Sequence, residues 1–158
     1  MRKTGARRKS QPQTVFRNPL ARLNPTSDEN ANRLAMRAYA ALDMMTMTKL
    51  GGDKESWRDL ADVVNITETM AGKCGLLTKQ ALTYTAAANV AMKAAQERYK
   101  AGKSLRLDGP GIEAVRAVIS IYDAALKLLT ERQVEDAFVT TQAEVQRLIR
   151  AGAEAISL

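Results

Sequence analysis

A chain of 158 residues, 46% of them hydrophobic and 26% charged, has the size and composition of one folded unit, since a single core serves roughly 100–200 residues. With no histidine and one cysteine (Cys74) it excludes Ser-His-Asp and Cys-His catalysis, imidazole or thiolate-cluster metal sites, and an intramolecular disulfide. Its 24 Lys+Arg against 17 Asp+Glu give a formal charge of +7, and no run reaches the roughly 18–20 apolar residues that cross a bilayer.

The charge is concentrated at the start. Arg2, Lys3, Arg7, Arg8, Lys9, Arg17 and Arg22 precede the first acid, Asp28, and account for the whole surplus; the remaining 17 cations balance the 17 acids. The division is therefore a basic arm over residues 1–25 and a formally neutral body over 26–158. Pro12, Pro19 and Pro25, with Gly5, Ser10, Gln11 and Gln13, leave the arm too little apolar surface to offset its ordering entropy, so disorder is expected over about residues 1–15. Val15, Phe16, Leu20 and Leu23 let residues 15–25 lie against the body in an extended form. A basic arm attracts phosphates through counterion release; the plainer reading is a solubilising terminus. The prolines and the lack of an amphipathic stripe argue against a transit peptide, and no apolar h-region follows the charges, so the expected location is the cytoplasm.

From Pro25 onward the pattern is helical. Thr26 and Glu29 have capping-box spacing and open a first helix to about Leu50, stopped by Gly51-Gly52, with Leu34, Ala38, Ala41, Leu42 and Met45 as its buried stripe. Met44, Met45 and Met47 read as core filler or as an adaptable partner surface.

Asp53 caps a second helix through about Lys73, with Trp57, Leu60, Ala61, Val64 and Ala71 on one face and Gly72 and Gly75 ending it. Leu60–Ala71 also reads as a helix-turn-helix, with Asn65 in the left-handed turn, Ile66 plugging the core and Thr67 capping a recognition helix. That helix would present Thr67, Glu68, Thr69 and Met70 with one cation, Lys73, whereas groove-reading helices usually present Arg, Lys, Asn or Gln. One unbroken helix is the competing reading. Cys74, near two glycines, reads as a small apolar residue.

A third helix, about Leu77 to Ala101, is rich in alanine (Ala81, Ala86, Ala87, Ala88, Ala91, Ala94, Ala95). Alanine allows close helix approach, which predicts a central, tightly packed member. Ala101-Gly102-Lys103-Ser104 ends like a phosphate-binding loop, but the position requiring the earlier glycine is Glu97 and no strand precedes it, so it reads as a helix end and basic loop. In the break at Gly102–Gly111, Leu105 and Leu107 are expected to anchor by alternate burial.

A fourth helix to about Leu129 carries Ile112, Val115, Ile119, Tyr122, Leu126 and Leu129 at spacings of three and four. Thr130 and Gln133 form a second capping box opening a fifth helix to about Gly152. Its stripe of Val134, Phe138, Thr141, Val145 and Leu148 suits an antiparallel hairpin or a homodimer through the C-terminal helices. No period-2 run is sustained, and the expected fold is an all-α bundle of about five helices. The carboxylate groups Asp53/Glu55/Asp59/Asp62 and Glu131/Glu135/Asp136 lie near helix starts, where the helix dipole favours acids, and no catalytic pair stands out.

Met1-Arg2-Lys3-Thr4-Gly5, Trp57-x-x-Leu60 with Val64-Asn65, then Gly75, the Gly102 loop and a terminal helical pair resemble a group of small phage- and prophage-encoded helical proteins over about two-thirds of the chain. Some members are labelled Fis-like regulators. The basic C-terminal helix-turn-helix of such a factor has no counterpart here, because Arg132, Arg147 and Arg150 stand among Glu131, Glu135, Asp136, Glu144 and Glu154. The resemblance implies a mobile-element setting and assigns no functional residues.

The resulting expectation is a non-enzymatic binding protein without metal or cofactor, with nucleic acid as partner and transcription or another nucleic-acid transaction as its target. Arg2, Lys3, Arg7, Arg8, Lys9, Arg17 and Arg22 would neutralise phosphates, with Lys100, Lys103 and Arg106 as a second patch. The alternative is an inhibitor or adaptor of anti-defence type that captures a host protein through the neutral body. No membrane partner is expected.

Overall fold

A computed structural model describes residues 26–46 and 51–152, and the arm expected over residues 1–25 lies outside them. The described residues form five helices and no strand: α1 (Asp28–Thr46), α2 (Lys54–Ala71), α3 (Gln80–Lys100), α4 (Gly109–Leu128) and α5 (Glu131–Arg150). None is long and apolar enough to cross a membrane.

Helices α1 to α4 run up and down in sequence. At one end the α1–α2 connection meets the α3–α4 connection, where the Ser104 hydroxyl donates to the Gly51 carbonyl at 2.7 Å and the Leu107 N–H to that of Met45. At the other end the Thr26 N–H and hydroxyl both donate to the Leu129 carbonyl, at 3.3 and 3.2 Å, joining the start of α1 to the end of α4. Thr26 is thus not the N-cap expected from its spacing to Glu29. The cap is Ser27, whose hydroxyl accepts from the Asn30 N–H. Thr26 is used instead to bridge to the α4–α5 junction.

The caps at Asp53 and Thr130 fall where expected, and Asp108 adds one that the sequence reading did not single out. Asp53 accepts the Ser56 N–H and hydroxyl at 2.8 Å each, and these bonds hold its carboxyl below the usual range. Asp108 accepts the Gly111 N–H, and Thr130 with Gln133 completes the reciprocal capping box. After α2, Gly75 takes a φ of 61° that lets the Leu76 N–H return to the Met70 carbonyl at 2.7 Å. Gly72 keeps a right-handed conformation, so the left-handed stop is Gly75 alone.

The core lies around α2, not α3. Trp57, Leu60, Val64, Ile66, Thr67 and Met70 are fully buried, and α2 touches all four other helices. α3 packs chiefly on α2 and α4. Its buried alanines, Ala81, Ala88 and Ala95, recur every seven residues, while Ala86, Ala87 and Ala94 face outward. Small side chains do permit a close approach on the packed face: a Cβ on Gly111 of α4 would sit 3.1 Å from that of Ala91. The alanine count, however, covers all faces of α3 and says little about how much of it is enclosed.

α2 is one unbroken helix, which overturns the helix-turn-helix reading. Asn65 lies within it, no described residue other than glycine has a positive φ, and the Thr67 hydroxyl donates to the Val63 carbonyl four residues back. Ile66 and Thr67 are instead covered by neighbouring helices, which leaves no recognition helix to present.

α5 lies along α2, with Phe138 beside Asp62 and Ile66 and Glu144 beside Lys73, and does not form a hairpin with α4. Val134, Ala137 and Thr141 are buried, while Phe138, Val145 and Leu148 are half-buried. Lys73, just beyond α2, and Arg147 both donate to the Glu144 carboxylate, Arg147 through two nitrogens at 3.0 and 2.7 Å. Those bonds, Arg147 first, hold the Glu144 carboxyl down to about 2. A carboxylate lowered from an unfolded value of about 4.3 stabilises fully above that value, and the contribution fades as pH falls towards about 2. An NMR titration is accordingly expected to place the Glu144 midpoint near 2 in the native chain and higher in Lys73→Met; a native midpoint near the unfolded value would mean the bridge does not persist.

Candidate nucleic-acid interface

The cations that the structure brings together lie at the end of the bundle where α1 and α3 finish and α2 and α4 begin. α3 closes with Arg98 and Lys100, positively charged groups where the helix leaves partial negative charge. The Gly102 N–H donates to the Tyr99 carbonyl and that of Lys103 to Arg98, which turns the chain into the loop before α4. The Ala101–Ser104 motif is therefore a helix end, with Ser104 spent on tying the loop to Gly51.

Leu105 and Leu107 are buried, so alternate residues of the loop turn away from the core. Lys103 is exposed at the tip. Arg106 is half-buried: its Nε donates to the Ser104 hydroxyl at 3.1 Å, and its carbonyl accepts from an Arg98 guanidinium nitrogen at 2.6 Å. Its guanidinium thus braces the loop as well as adding charge. Lys54, at the start of α2, sits 5.3 Å from the centre of the Tyr99 ring, within cation–π range.

Lys54, Arg98, Lys100, Lys103 and Arg106 thus converge from α2, α3 and the loop. Acids are present too, but several are engaged: Asp53 and Asp108 cap helices, and Glu97 pairs with Lys100 at 3.1 Å. Lys103 and Arg106 were legible as a basic loop. Lys54 was not, because only folding places it over Tyr99. Arg2, Lys3, Arg7, Arg8, Lys9, Arg17 and Arg22 lie outside the described residues.

Among the described residues, several carboxylates are spent on ion pairs and caps. Asp59 is gripped by the Arg37 guanidinium through two bonds, at 2.8 and 2.6 Å, which tie α1 to α2. Asp62 borders a small cleft with Tyr122 and Phe138; desolvation, then the neighbouring Asp59 charge, pushes its carboxyl up against the pull of Arg37. Tyr122, buried beneath, is pushed up to about 12 by desolvation and by Asp62, so its phenol stays protonated. Among the described residues no group of three or more acids or cysteines is placed to hold a metal ion. Comparison with protein-family models, curated proteins and solved structures returns no match to this chain.

Proposed function

We propose that this chain is a non-enzymatic nucleic-acid-binding protein, a regulatory factor that grips the phosphate backbone. The observation that carries the reading is the partition of charge: seven cations and no acid before residue 28, followed by a body with balanced charge. Polyanion binding is the use that such a segment serves directly, through counterion release. Lys100 and Lys103, exposed at the end of the bundle beside Arg98 and Lys54, supply a second contact on a rigid support. Such contacts position a protein without reading bases, and the enclosed α2 offers no groove-reading helix. The setting we infer from the opening residues and helical layout is a phage or other mobile element.

A fluorescence-anisotropy titration against random duplex DNA and single-stranded RNA, at several salt concentrations, tests this. The full chain is expected to bind with a steep salt slope. Replacing Arg2, Lys3, Arg7, Arg8 and Lys9 by glutamine should reduce the slope on duplex DNA by about 0.9 for each phosphate that is no longer neutralised, and Lys100→Gln with Lys103→Gln should reduce it less. Binding that is absent, or unchanged in the arm variant, overturns the reading. A second reading, capture of a host protein, is favoured by the exposed Val139 and Ile149 on α5 beside half-buried Phe138, Val145 and Leu148. It predicts a partner that survives nuclease treatment.

A further inference from the structure

Two exposed apolar side chains, Leu128 and Tyr84, share one groove. Leu128 is 83% exposed and Tyr84 40%, and with Leu76, Leu77, Ile121 and Ala124 they line a groove of about 390 Å³ between the start of α3 and the end of α4. Leu129 also borders the groove, and its carbonyl is the atom to which Thr26 is fixed by two hydrogen bonds. Thr26, the first described residue, is therefore anchored at the groove's edge.

What precedes Thr26 suits an apolar groove. Leu23 stands three residues back and Leu20 six, within about 10 and 20 Å at up to roughly 3.5 Å per residue. The groove runs from Leu129 back to Ile121, about 12 Å of helix. Pro25 biases the residue before it towards extended backbone, which favours reach over local coiling. Phe16 and Val15 follow further out, with Arg17 and Arg22 between the apolar positions. A segment tethered this closely experiences an effective concentration in the millimolar range, far above that of a second copy of the chain.

We propose that residues Val15–Leu23 dock in the α3–α4 groove as an intramolecular strap, with Leu20 and Leu23 as its anchors. The strap seals the exposed Leu128 and gives the basic arm a fixed point of departure from the body. This holds irrespective of what the arm binds.

Timed trypsin digestion of the full chain, read by mass spectrometry, tests it directly. Trypsin has sites inside the strap, after Arg17 and Arg22, and outside it, after Arg7, Arg8 and Lys9. Cleavage of a docked segment follows the fraction that is open, so the inner sites are expected to be cut about tenfold more slowly than in Leu128→Asp. That substitution lies on the surface and leaves the core intact. Leu20→Ser with Leu23→Ser, which alters only the arm, should abolish the protection equally. Inner sites cut at the same rate in the native chain and both variants would overturn the proposal. So would protection that grows with protein concentration, the sign of a second copy in the groove.

Discussion

Replacing Trp57 by alanine is expected to cost the fold about 3–5 kcal/mol, the range for removing a buried Trp or Phe side chain from a packed core. Trp57 stands in the first turns of α2, the helix that touches all the others, and is fully enclosed. Surrounding helices cannot collapse onto the vacated volume without pulling away from one another, so the cavity persists. Urea denaturation followed by circular dichroism at 222 nm measures the loss. A contrasting result is expected for Trp57→Phe. The indole Nε1 is buried with no hydrogen-bond partner, and an unmet buried donor carries a penalty of about 1–3 kcal/mol. Phenylalanine removes that donor while keeping most of the bulk, so its cost should be well under half that of alanine. Equal losses would mean that the indole's shape outweighs its polarity.

The second large effect is expected at Leu105. This side chain is enclosed although it belongs to a loop, and with Leu107 it holds the Lys103–Asp108 segment against the ends of α1 and α2. Leu105→Ala should cost about 2–3 kcal/mol, the lower part of the range for buried leucine, because a loop relaxes more readily than a helix. The loss should be accompanied by faster trypsin cleavage after Lys103 and Arg106, since the backbone there would no longer be held. Stability within about 0.5 kcal/mol of the native chain would show that the loop is positioned by its hydrogen bonds alone. Because this loop carries two of the cations at the basic end, the same substitution should weaken any contribution that Lys103 makes to binding without altering its charge.

The parts of the fold that were legible in the sequence depend on neighbours within a few residues. The box at Thr130 and Gln133, the cap at Asp53 and the stripe from Val115 to Leu126 all follow from spacings of three and four, and all stand as expected. What was misread depends on contacts distant in the chain. Thr26 has the right spacing to cap α1, yet Leu129, 103 residues away, takes its hydroxyl. Asn65 and Thr67 fit a helix-turn-helix locally, but four packed neighbours favour keeping α2 straight. The stripe on α5 announced a partner without naming it, since apolar spacing specifies a face and not what covers it. The site divides in the same way: Lys103 and Arg106 are visible as a local run, whereas Lys54 joins them only when α2 and α3 come together.

The placement of α5 has a consequence for how the molecule comes apart. α1 to α4 enclose one another, but α5 rests chiefly on α2, through Val134, Ala137, Thr141 and the Lys73–Glu144–Arg147 cluster. A helix held chiefly by one neighbour can lift away while the other four stay closed, so opening is expected in two cooperative steps of unequal free energy. The lower step uncovers Ile66 on α2, which α5 otherwise shields. A probe confined to α5 and a probe at Trp57 would then report different midpoints from the same sample, and no single unfolding free energy would describe the chain.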